Sequence, residues 1–307
     1  MDQVGIFALV ARPGPRVAGR RLPPLPIAAL IVAAVVANAW YLGWTLVELL
    51  TDPLSFDWEV LVESGRRVRD GGLYDHDPYY LFVWSPLAAW LFALLEPIGM
   101  WGWRLLHLLA IPLIPDRRLQ LLVLLSWPFW VDLEAGNIMI FVLVAAIWAL
   151  RGNTMGMLAF VTLTFLAPRP LHLPVLAWIV VTRPGWRLPI AALALVHLAL
   201  VIGTGWGPDW VATVLGSGGR ELDNSMNVGP SQITGAVWIP VGLALGAWLT
   251  TRGRLGWASL AVSPYWLPMY LLIGFLEFNR AGIWADRSQA RSGRRSPQPA
   301  VRTAAGP

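Results

Sequence analysis

The chain has 307 residues, of which 56% are hydrophobic and 13% charged, with a formal net charge of +5 and a mean hydropathy of +0.58. Ordinary globular domains carry about 25% charged residues, so this composition excludes a soluble enzyme and implies an all-α, polytopic transmembrane bundle with no separate soluble domain. Cysteine is absent, which excludes disulfides and thiolate metal sites, and the 23 basic residues, all Arg, lie in short loops between apolar runs and form no basic face, which argues against a nucleic-acid partner.

Residues 1–25 read as a cytoplasmic tail. Their apolar start, Gly5 to Val10, is short and is followed by Arg12, Arg16, Arg20 and Arg21, unlike a cleavable signal peptide. A transmembrane domain is expected over 26–278, with apolar runs at 26–47, 81–115, 119–131, 138–150, 154–167, 171–182, 188–203, 234–250, 255–264 and 265–278. Several fall short of the roughly 20 residues a spanning helix needs, which points to bilayer thinning or embedded half-helices. The arginines of the tails and of the loops at Arg117, Arg151, Arg183 and Arg252 share one side if 81–115 makes one net crossing. This predicts about ten crossings with both termini cytoplasmic and part of 81–115, such as Ser85 to Glu96, re-entrant or interfacial. Segments 48–80, 132–137 and 204–233 then lie outside, with the arginines at 66–69, Arg169 and Arg220 as exceptions to the charge rule. Residues 279–307 read as a disordered cytoplasmic tail.

The first outer segment holds SFDWEVLVESGRRVRDGGLYD. Ser55 can cap a helix from Phe56 that Gly71 and Gly72 end, with Trp58, Leu61, Val62 and Val68 on one face and Glu59, Glu63, Arg66, Arg67 and Asp70 on the other. Such a helix is expected to lie in the membrane surface, at the depth of lipid phosphates. Asp57 in its first turn reads either as a reactive carboxylate or as a partner of the helix dipole. Arg66, Arg67 and Arg69 read equally as binders of anionic headgroups.

Further along, Asp75-His76-Asp77 forms a D-x-D, a metal-diphosphate signature elsewhere and a solvated turn otherwise. His107 and His197 lie inside apolar runs, where packing with one hydrogen bond competes with a functional role. His172 follows Arg169 at an expected outer helix end. The 19 Trp are read mainly as interfacial anchors, with Trp58 and Trp206 best placed to stack on a sugar. The polar segment from Gly216 to Gln232 is long enough to be a lid.

In order along the chain, FDWEV, SGRRVRDGGLYD, FVWSPLAAWLFALLEPIG, EAGNIMIFVLVAAIWALRG, APRPLHLPVLAWIVVTRPGWR and SPYWLPMYLL resemble the motifs of glycosyltransferase family 87. These are the polyprenol-phosphate-mannose-dependent members of the GT-C superfamily. The likeness rests on the order of short motifs from residue 55 to about 275; Asn137 stands near where that family has Gln, Arg169 where it has Lys, and Trp84 where it has Tyr. It implies a GT-C-like bundle in the bacterial cell membrane. Such an enzyme moves mannose or another hexose from a polyprenyl phosphate to a glycolipid or cell-envelope glycan on the outer face, with inversion and without a cofactor or metal. Asp57 is then the catalytic base. Arg169 and His172, with Arg66 and Arg67 as alternatives, meet the donor phosphate, and Glu59, Glu134 and Asn137 orient the acceptor. The competing readings are a lipid-linked-sugar flippase or transporter and an inactive scaffold of the same shape.

Overall fold

A computed structural model of the chain describes residues 16–17, 20–21, 25–51, 56–75, 82–222 and 227–279. They are helices joined by short turns, apart from a two-residue ladder pairing Arg16–Val17 with Arg20–Arg21. The expected tails, the cap at Ser55 and the second half of the D-x-D lie wholly or largely outside the described residues.

Among the described residues, three helical stretches are long and apolar enough to cross a membrane: Ile27–Thr51, Pro184–Gly203 and Ser231–Thr251. The first belongs to α1 (Leu25–Thr51), whose side chains are largely exposed. One polar residue ties it to the bundle. The Asn38 amide donates to Leu125 O at 3.0 Å and accepts from Trp127 N at 2.9 Å, which closes the break between α5 (Arg117–Leu124) and α6 (Trp127–Ala135). Residues 119–131 are therefore not one crossing, because Pro128 starts a new helix after Ser126 instead of extending the old one.

Helix α2 (Phe56–Asp70) has the expected bounds and ends before Gly71 and Gly72, both at positive φ (100° and 75°). Its apolar face is buried, but against protein and not against acyl chains. Trp58 stacks on Trp103 with centroids 5.4 Å apart, and Gly65 lets α3 (Pro86–Leu95) approach so closely that an added Cβ would lie 2.6 Å from Ala93 N. The run 81–115 is split by the 3-10 turn Glu96–Ile98, beyond which Gly99 (φ 64°) opens α4 (Gly99–Ala110).

Helix α7 (Met139–Leu150) forms the centre, with ten of its side chains buried. Around it pack α8 (Thr154–Leu166), a 3-10 turn Pro170–His172 leading into α9 (Leu173–Thr182), and a 3-10 stretch Pro268–Phe278. Such short apolar helices satisfy their backbone internally and hide inside the bundle, as membrane-depth segments must when they do not span. Helix α10 (Arg187–Gly203) leads to α11 (Gly207–Leu222), so half of the segment expected as the outer loop 204–233 is helical. Helices α12 (Trp238–Thr251) and α13 (Leu255–Val262) close on Gly242 and Gly246, where an added Cβ would meet the backbone or side chains of α13.

Candidate functional site

Asp57 enters the site from the first turn of α2. Its partner comes from eighty residues away: Asn137 Nδ2 donates to Asp57 Oδ2 at 2.6 Å. Asp57 keeps part of its surface exposed, while its carboxyl end is packed among protein atoms. This burial pushes the carboxyl above the ordinary carboxylate range; the Asn137 hydrogen bond and the charge of Arg169 pull against it without cancelling it.

Asn137 sits in the turn between α6 and α7. Gly136 makes that turn at φ 74°, and an added Cβ there would lie 2.7 Å from Trp58 Cβ, so the turn lies directly against the start of α2. Trp103 Nε1 donates to Gly136 O at 2.8 Å. Asp132, fully buried, accepts from Met139 N at 3.0 Å and Ile140 N at 2.8 Å through its carboxylate, and its carbonyl accepts from Gly136 N and Asn137 N, each at 3.0 Å. It is the side-chain cap of α7, reaching across the turn. His107 lies beneath, with Nε2 2.6 Å from Asn137 O, Nδ1 2.9 Å from Trp103 O, and Asp132 Oδ2 3.8 Å from Nε2.

Arg169 approaches from the segment between α8 and α9. Its guanidinium carbon is 4.8 Å from the Tyr270 ring centroid and 5.9 Å from that of Trp84, and Nη1 donates to Tyr265 Oη at 3.2 Å. Two aromatic faces thus hold the cation, whose charge reaches Asp57, without neutralising it. His172 is fully buried behind it, beside Phe160 at 6.1 Å, and its ring nitrogens have no hydrogen-bond partner among the described residues.

The other expected site residues are scattered. Glu59 is exposed on α2, two residues and so about 200° round the helix from Asp57. Arg66 and Arg67 lie nine and ten residues further on, about 13 to 15 Å along the axis. They are held by Glu96 and Glu63: Arg66 Nη2 to Glu96 at 2.9 Å, Arg67 Nε to Glu63 at 3.0 Å. Glu134 is buried near Arg104, whose Nη2 donates to Glu134 O at 3.3 Å. Trp58 is core, not a sugar platform, being 6% exposed beneath Trp103. Trp206 is half-buried against Tyr74, and His197 packs on Phe165. Asp132 and His107 are the residues that sequence reasoning did not place at the site. The signal for Asp132 was its position four residues before a Gly-Asn that opens an apolar run, a side-chain cap written across a turn.

An apolar cavity of about 600 Å³ opens between α3, α4, α7 and α8. Its lining includes Trp84, Trp103 and Ile138, which neighbour Arg169, Gly136 and Asn137 respectively. No group of three or more metal-ligating side chains occurs among the described residues. Comparison with protein-family models, curated proteins and solved structures gives no match to the chain.

Proposed function

We propose that the protein is a membrane glycosyltransferase that takes a hexose from a polyprenyl phosphate and passes it to a hydroxyl of a glycolipid or envelope glycan. The observation that carries this reading is one juxtaposition: an Asp57 carboxyl with raised proton affinity, an aromatic-held Arg169, and an apolar cavity lined by Trp84 beside Arg169 and by Ile138 next to the Asn137 that holds Asp57. A lipid-linked sugar phosphate needs all three, with a cavity for the chain, a cation for the phosphate and a base for the acceptor.

In the proposed step the acceptor oxygen attacks the anomeric carbon, its proton passes to Asp57, and the bond from that carbon to the phosphate oxygen breaks with inversion. The electron pair leaves on the polyprenyl phosphate, whose charge Arg169 receives. Asn137 holds the base in place, and the fully buried His172, whose backbone N–H donates to Arg169 O at 3.1 Å, anchors the segment that carries Arg169. Because the leaving group is already a phosphate anion, the step asks for no divalent metal, and transfer is expected to persist in EDTA. Manganese-dependent activity lost in Asp75→Ala would instead point to the D-x-D.

The same reading puts the chain in a bacterial cell membrane in a GT-C-like arrangement of about ten crossings. The α2 end then faces outward and both termini lie inside, following the arginine distribution. The test is transfer of labelled sugar from polyprenyl phosphate in membranes that carry the wild type or Asp57→Asn. Absence of labelled product in the wild type, with movement of the intact lipid-linked sugar across the bilayer, would favour the flippase reading.

A further inference from the structure

Asp57 is held by a turn, not by its own helix, and that turn has its own keystone. Asp132 supplies four of the turn's contacts: two carboxylate oxygens to the N–H groups that open α7, and its carbonyl to Gly136 N and Asn137 N. Asn137 Oδ1 accepts from its neighbour Ile138 N at 2.7 Å, which orients the amide so that Nδ2 points at Asp57. His107 braces the same peptide from below through Asn137 O. A fully buried carboxylate is costly unless its lone pairs are used, and here they are used to close one nine-residue arc from Asp132 to Ile140.

We infer that Asp132 is a positioning residue: by capping α7 across the 132–140 turn it fixes the Asn137 amide, and through that amide the place and proton affinity of Asp57. The inference rests on the reading of Asp57 as the reactive carboxyl, but its test does not depend on transfer. The charges that face Asp57 are Arg169 from the segment before α9 and Asp132 itself. Two routes from Asp132 to Asp57 therefore exist and have opposite signs. Through space, Asp132 disfavours the charged form of Asp57 only when it is itself ionised, so its removal leaves Asp57 as easy or easier to ionise. Through the turn, loss of the cap frees Asn137, removes a hydrogen bond that favours the carboxylate, and makes Asp57 harder to ionise.

The experiment follows the reaction of Asp57 with dicyclohexylcarbodiimide, which attacks the protonated carboxyl. The full chain in detergent is labelled across a pH series and the adduct at Asp57 is quantified by tandem mass spectrometry. Asn137→Ala is expected to move the labelling midpoint upward by about one pH unit. Asp132→Glu keeps a carboxyl but displaces it by a methylene, and is expected to move it in the same direction; Asp132→Ser, able to keep one cap bond, is expected to do so despite the lost carboxyl. The double variant Asp132→Glu with Asn137→Ala is expected to go no further than Asn137→Ala alone, since both act through one bond. A midpoint unchanged in Asp132→Glu, or lowered in Asp132→Ser, would overturn the inference, as would an additive double variant or an unshifted Asn137→Ala. A merely structural role lowers the yield of folded protein and leaves the midpoint where it was. Labelling that behaves as expected in a wild type without transfer activity would sink the glycosyltransferase reading and leave the positioning role standing.

Discussion

At the scale of single residues, Asp57 pays for its role with its own burial. Its folded-state proton affinity is raised, so the ionised form is the disfavoured one, and its contribution to stability is full below the ordinary carboxylate range and lost as pH rises through the folded value. Two outcomes follow for Asp57→Asn. Transfer should fall by roughly 10²-fold or more, because the amide keeps the shape but cannot accept the proton. Thermal melting at neutral pH should stay level or rise, because the amide carries no charge to desolvate; a lower midpoint would show that the carboxylate is a structural partner first. In the wild type the rate should climb with pH on a limb lying above the usual carboxylate value, since the base must be ionised to act. Arg169→Gln removes the nearby cation that eases ionisation, so it should push that limb to still higher pH; a limb that stays in place would show that Arg169 does not sense Asp57.

At the scale of elements, the turn from Ala135 to Ile138 joins what the helices keep apart. Gly136 has two reasons to be glycine, a φ of 74° and a Trp58 side chain 2.7 Å from where a Cβ would stand. Gly136→Ala should therefore cost about 1 to 3 kcal/mol of stability, measurable as a lower melting temperature, and should reduce transfer by shifting Trp58 and with it Asp57. An unchanged melt would mean that the turn is softer than its contacts imply. This element also marks how far the sequence could be read. The bounds of α2 were legible because a Ser before the first helical residue and a Gly-Gly stop are local signals. The break at Ser126 was written in the Trp-Pro that follows it but was masked by the apolar run on both sides. That Asn137 meets Asp57 was not legible from residues alone, because no local rule pairs positions eighty apart. Arg66 and Arg67 drew notice as a charge cluster, yet Glu63 and Glu96 already hold them, and one of those acids lies thirty residues downstream. Periodicity showed the face of α2 that is buried but not what buries it, since a stripe that fits lipid also fits Phe92 and Trp103.

For the whole molecule, orientation in the membrane is the property with most at stake, because the proposed chemistry needs Asp57 on the outer side. The natural chain has no cysteine, so a single introduced thiol reports without background. Glu59→Cys, on the exposed side of α2, should react with an impermeant maleimide in intact cells, and Met155→Cys, 73% exposed at the start of α8, only after lysis. The reverse pattern would place the site in the cytoplasm and remove the outer-face acceptor from consideration.

The bond between Asn38 and the 125–127 break has a consequence for the order in which the protein is made. Helix α1 leaves the ribosome before its partners, carrying an amide in the middle of an apolar span, and those partners arrive 87 and 89 residues later. Until then the amide is an unpaid polar group that disfavours stable residence of α1 in lipid, and afterwards it is the clasp that holds the helix. Asn38→Leu separates the two stages. Nascent chains cut before Leu125 should integrate α1 more completely with leucine than with asparagine, whereas the finished protein should lose α1 contact more readily in detergent, seen as faster protease cleavage in the 52–55 link. Helix α1 would thus be made well before the clasp that settles it.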